Sequence, residues 1–139
     1  MRALRIVLAA VVVMATVVGA CGCGGGLTKD DAHSTVSRFF TELTDGDADG
    51  AIALMYPGLE VQSASFKNYI LEVERAAGIS FTDGRSNMRV GISEDLGDGD
   101  YRVGGEVNIG EVRVGFEVVV RKDGGGIGVF SVMIADIRF

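Results

Sequence analysis

The acidic stretch Asp45-Gly46-Asp47-Ala48-Asp49-Gly50-Ala51-Ile52 has the residue types and spacing of a cation-binding loop. Alternate carboxylates, a glycine at the sixth position and an aliphatic residue at the eighth match the first two thirds of a calcium loop. The twelfth position, where a bidentate Glu normally closes the site, is Tyr56. Such loops usually come in pairs, and the chain has no second one. The competing reading is an acidic turn in which Asp47 caps a following helix. Glu94, Asp95, Asp98 and Asp100, interleaved with Gly97 and Gly99, form a second acidic cluster that reads as a solvated hairpin loop. His33, the single histidine, in the first turns of a helix, has no fixed Cys, Ser or second His as partner and reads as a surface residue. The sequence therefore points to no catalytic residue, no cofactor and no complete metal-ligand set.

Two thiols remain, Cys21 and Cys23. Their spacing makes a disulfide between them strained, and no other cysteine is present to partner either. Upstream, Met1 to Arg5 carries two arginines, Ile6 to Val18 is apolar apart from Thr16, and Gly19-Ala20 are small. That is the tripartite layout of a secretory signal peptide over residues 1–20. Its apolar run of about 13 residues is short of the roughly 20 that span a bilayer. Val18-Gly19-Ala20-Cys21 resembles the lipobox of bacterial lipoproteins, an aliphatic residue, two small ones and then cysteine. The resemblance implies cleavage before Cys21 and acylation of its thiol. Two or three acyl chains there would hold the protein to membrane lipid. Gly22 to Gly26, interrupted by Cys23, reads as a flexible tether over 21–26. The expected location is the outer face of the cell membrane, or the periplasm where an outer membrane exists.

Loss of residues 1–20 removes Arg2 and Arg5 from 13 basic residues, leaving 11 against 19 acidic ones, a balance of −8. Non-specific nucleic-acid binding needs clustered Lys and Arg to neutralise phosphates, so that class of partner is excluded. The remaining length suits one domain, 27–139.

The elements that must position any site follow from two periodicities. Thr28 can cap a helix whose Val36, Phe39, Phe40 and Leu43 form one apolar stripe. A short helix is expected from Asp47 to Met55, stopping before Pro57. A third is expected from Ala64 to Ala77, with Phe66, Tyr69, Ile70 and Val73 on one face and Gly78 ending it. Beyond Ile79 the period becomes two: Met88-Val90-Ile92, then Tyr101-Val103 with Val107-Ile109, then Val112 to Val120 at every second residue. Gly110-Glu111 fits a two-residue hairpin that pairs Ile109 with Val112 and Val107 with Val114. Asp123 to Gly126 makes the next turn. The last strand, Ile127 to Phe139, reads as apolar on both faces, with Val129, Met133 and Ile137 on one and Phe130, Val132 and Ile134 on the other. It is therefore expected at the centre of the sheet or under a partner.

The fold class is thus α+β, with N-terminal helices packed in a curved antiparallel sheet of about four strands. The segment Phe39-Phe40-Thr-Glu-Leu-Thr-Asp-Gly46-Asp47-Ala48-Asp-Gly-Ala51-Ile52-Ala-Leu-Met55 resembles the nuclear-transport-factor-2-like, or cystatin-like, superfamily. The resemblance implies a cone-like domain lined by Phe39, Phe40, Ile70, Val90, Val103 and Phe116, which holds an apolar ligand or is a filled core. It also implies a homodimer through the outer sheet face. Isomerases and cyclases of that superfamily place an acid–base group inside the cone. Here the inward positions are apolar, and only Tyr56, Tyr69 and Tyr101 could put a polar tip inside. The resulting reading is a membrane-anchored, non-enzymatic binding or accessory domain. Its alternatives are a calcium-stabilised scaffold using Asp45 to Asp49 and a pocket enzyme.

Overall fold

A computed structural model describes residues 27–139 apart from Gly84. The expected signal peptide, the lipidation site Cys21 and the tether lie outside the described residues. Helix α1 spans Lys29–Thr44, α2 spans Ala48–Ala53 and α3 spans Ser63–Ala77, followed by a 3-10 turn at Phe81–Asp83. Five strands follow: β1 Ser86–Gly97, β2 Asp100–Ile109, β3 Val112–Asp123, β4 Gly126–Ile134 and β5 Ile137–Arg138. They form one antiparallel sheet in sequence order. The class is α+β. Among the described residues no helix is long and apolar enough to cross a membrane.

The helix ends obey local chemistry. Thr28 Oγ1 accepts from the Asp31 N–H at 3.1 Å, and Asp47 Oδ1 accepts from the Gly50 N–H at 2.8 Å. Each cap satisfies one otherwise orphaned donor of the first turn. Gly78 ends α3 in the left-handed conformation, φ 68°. The buried stripe of α1, Ala32, Val36, Phe39, Phe40 and Leu43, packs against Phe66, Tyr69 and Val73 of α3 and the inner face of the sheet. Phe40 meets Phe116 edge-on at 5.0 Å, and Phe39 meets Phe40 at 6.0 Å and Phe66 at 6.1 Å. These aromatic packings fill the middle of the core.

The β2–β3 hairpin has the register that its turn length and side-chain parity demand: Ile109 opposite Val112 and Val107 opposite Val114. Three expectations about the other strands are corrected. The final strand does not run to Phe139. Ala135 and Asp136 adopt φ of 52° and 63°, turn the chain back, and create the fifth strand where about four were expected. Its faces also differ from strict alternation. Val119 pairs with Ser131 and Val120 with Val129, so Phe130 is an unpaired extra residue. This bulge puts Val129, Val132 and Ile134 together in the core and leaves Met133 on the other side. A second bulge at Gly91 does the same to β1: Val90 pairs with Gly105, Ile92 with Gly104. Ile92, expected in line with Met88 and Val90, is instead 48% exposed on the outer face.

The last full strand is neither central nor bare. Along the edge of β4 away from β3, the Tyr56 N–H donates to Val129 O at 2.8 Å and the Val129 N–H to Leu54 O at 2.9 Å. The Phe139 N–H donates to Val132 O at 3.0 Å, and β5 pairs with Met133 and Ile134. This chain covers that edge with its own segments, which blocks sheet extension there.

Candidate functional site

Two polar clusters join helix to sheet. The first starts at His33, one turn into α1, where helical spacing turns it towards β1. Its Nε2 is 2.9 Å from Ser93 Oγ, and Ser93 Oγ is 3.0 Å from the Tyr101 hydroxyl. The Gly91 bulge makes this possible, because it shifts Ser93 opposite Val103 on the inner side of β1. The expectation that His33 lacks a fixed partner is therefore corrected: Ser93 lies 60 residues away in the chain. No local sequence signal links the two. Chemically, a serine hydroxyl within hydrogen-bond reach of an imidazole nitrogen is the start of a nucleophile–base pair.

The second cluster sits at the β3–β4 hairpin. Arg121 holds Asp100 through two bonds, Nε to Oδ1 at 2.8 Å and Nη2 to Oδ2 at 2.9 Å. Its guanidinium lies 3.5 Å from the centre of the Phe130 ring and 5.8 Å from that of Tyr56. The Tyr56 hydroxyl donates to Asp123 Oδ2 at 2.6 Å, while the Gly125 N–H donates to Asp123 Oδ1 at 2.7 Å. Arg121 holds the Asp100 carboxyl below its usual range, and the Tyr56 hydrogen bond does the same for Asp123. The Asp123 carboxylate in turn raises the Tyr56 phenol. This cluster anchors the segment that covers the β4 edge. Tyr56, read from sequence as the wrong residue for a calcium position, has this structural task.

The aspartates of the calcium-like stretch each have another task in the structure. Asp47 is occupied as a cap, and Asp49 Oδ1 accepts from Ser63 Oγ at 2.9 Å. Asp45 closes the C-terminal end of α1. Among the described residues no group of three or more His, Cys, Asp or Glu is arranged to hold a metal. Glu94, Asp95, Asp98 and Asp100 do lie at a hairpin, but they do not act together: Asp100 faces Arg121, and Glu94 faces Arg102 at 3.1 Å. Tyr69 points its hydroxyl to Ile137 O at 2.7 Å, and burial raises its pKa.

Of the residues expected to line a cone, Phe39, Phe40, Val103 and Phe116 belong to the packed core, while Ile70 and Val90 lie at its margin. Crevices open elsewhere. A shallow dent of about 260 Å³ lies over Gly115 on the outer sheet face, between Ile92, Met133, Glu106 and Glu117. Another of about 340 Å³ lies between Ala48, Lys67 and Leu71. No protein-family model, no curated protein and no solved structure matches this chain.

Proposed function

We propose that this chain is an exported lipoprotein, anchored to membrane lipid through acylated Cys21, whose domain is a binding or accessory module and not an enzyme. The observation that carries the reading is where the polar groups stand. Apart from Tyr69 and Tyr101, whose hydroxyls are held by Ile137 O and Ser93 Oγ, every core side chain among the described residues is apolar, Phe39, Phe40, Phe66, Phe81 and Ile134 being the largest fully buried ones, and no carboxylate or histidine is buried there. Shifted acid–base chemistry draws on buried ionisable groups. Recognition by an outer surface does not need them. A cone-like, nuclear-transport-factor-2-like arrangement belongs to the same proposal, supported by α1 lying across β1, β2, β3 and β4. An apolar ligand held in that cone, and a second copy of the chain joined through the sheet, are its candidate partners.

The anchor is tested by replacing Cys21 with Ser in the full chain. Loss of a metabolic lipid label, with release from the membrane fraction, is expected. Unchanged label and fractionation would remove the lipoprotein reading.

A second reading has one specific observation in its favour, the 2.9 Å contact of Ser93 with His33. If that pair is reactive, a fluorophosphonate probe labels the chain, and Ser93→Ala or His33→Ala abolishes the labelling. No labelling above the Ser93→Ala background rejects an acyl-transfer enzyme.

A further inference from the structure

The two edges of the sheet are treated differently. The β4 edge is covered by Leu54 to Tyr56, Phe139 and β5. The β1 edge pairs with no strand among the described residues, and its run from Gly91 to Asp98 is exposed. A long free edge presents a row of unpaired backbone donors and acceptors.

We infer that β1 is where a second copy of this chain joins edge to edge, continuing the sheet across a two-fold axis at Ile92. The Gly91 bulge gives this edge a charge pattern complementary to itself. Cross-strand partners share a face, so Arg89 opposite Glu106, Ile92 opposite Gly104 and Glu94 opposite Arg102 all point outward. Without the extra residue, Arg89 and Glu94, an odd number of positions apart, would point to opposite faces. With it, β1 is self-complementary. An antiparallel pair of β1 strands centred on Ile92, with Gly91 of each copy left unpaired as it is against β2, puts Arg89 of each copy opposite Glu94 of the other. It puts Val90 opposite Ser93 and the two Ile92 side chains against each other. A two-fold interface of this kind uses the same patch on both subunits.

Three observations favour a second copy in this position. Arg89 makes no ion pair among the described residues. Glu94 competes with Glu117 for one cation, Arg102, which lies 3.1 Å from each. Ile92 is a large apolar side chain left exposed beside the dent at Gly115. Face-to-face packing of the outer sheet fits less well. It would bury Arg102, Glu106, Arg113 and Glu117, whose charges are already paired within one chain. The inference draws on the anchored reading for one thing: tethering to a common surface raises the local concentration of copies.

The test uses the full chain in its membrane, with Ile92→Cys as the reporter and the parent chain controlling for Cys21 and Cys23. Facing Cβ atoms in a cross-strand pair lie close to disulfide range. Mild oxidation should give a covalent dimer with Ile92→Cys but not with Met133→Cys, which reports the outer face. Adding Arg89→Glu should weaken dimerisation roughly tenfold, the ratio that about 1.4 kcal/mol of cross-strand attraction produces. Combining Arg89→Glu with Glu94→Arg should restore it. No Ile92→Cys dimer, equal trapping through Met133→Cys, or no rescue by the double exchange would each overturn the inference. Failure of the anchor alone would look different: the lipid label disappears, while detergent-solubilised chain at raised concentration still cross-links through Ile92→Cys.

Discussion

Gly128→Ala and Gly115→Ala are the same chemical change in neighbouring strands, and the structure gives them opposite signs. A Cβ on Gly128 would stand 2.5 Å from Met55 C and from Tyr56 N. Both atoms are backbone, in the segment that covers the β4 edge, so no side-chain rotation relieves the clash. The segment must move, and the hydrogen bonds Tyr56 N–H to Val129 O and Val129 N–H to Leu54 O go with it. Two such bonds contribute about 2 kcal/mol together. Displacing the packed segment adds about 1 kcal/mol. Gly128→Ala should therefore destabilise by roughly 3 kcal/mol, or lower Tm by roughly 10 °C for a domain of this size. A Cβ on Gly115 meets nothing within 4 Å, and its φ is not positive. Replacing it removes unfolded-chain entropy and should stabilise by about 0.5 kcal/mol. Urea unfolding followed by far-UV circular dichroism reads both, since the chain has no Trp for fluorescence. If Gly128→Ala falls within 0.5 kcal/mol of the parent, or Gly115→Ala loses as much as Gly128→Ala, the account of the covered edge is wrong.

Phe40, fully buried against Phe39 and Phe116, should cost about 4 kcal/mol as Phe40→Ala, whereas Leu71→Ala on the exposed side of α3 should cost less than about 0.5 kcal/mol. Asp100 and Asp123 have folded pKa values held below the usual carboxylate range. Their contribution is complete above about pH 4 and is lost as pH falls through the lower folded values. Equilibrium unfolding from pH 7 to pH 2 should show that acid limb, and it should flatten in the double variant Asp100→Asn, Asp123→Asn. Tyr69 titrates in the opposite sense. Its raised pKa makes its contribution complete below about pH 10 and lost above it. Tyr69→Phe should flatten the alkaline limb and cost about 1 kcal/mol at pH 7, because Ile137 O loses its donor.

The sequence by itself determined what depends on neighbours along the chain. The caps at Thr28 and Asp47, the stop at Gly78, the stripe from Val36 to Leu43 and the Gly110-Glu111 hairpin all rest on contacts within a few residues or on one side-chain period. Those local terms agree with the final packing, so they could be read directly. The bulges at Gly91 and Phe130 could not. An extra residue in a strand leaves composition and apolar content unchanged, yet it exchanges the two faces for everything beyond it. That exchange turned Ile92 outward and gathered Val129 with Val132 and Ile134. The turn at Ala135-Asp136 was hidden for a related reason: left-handed φ values at non-glycine residues are unfavourable locally and are held by the surrounding fold, here by the Ala135 N–H bonded to Gly115 O. Tertiary structure alone decided that His33 meets Ser93, that Tyr56 meets Asp123, and that, among the described residues, one edge of the sheet is covered while the other pairs with no strand. Each depends on elements far apart in sequence meeting at the sheet, and the sequence of either element carries no term for the other.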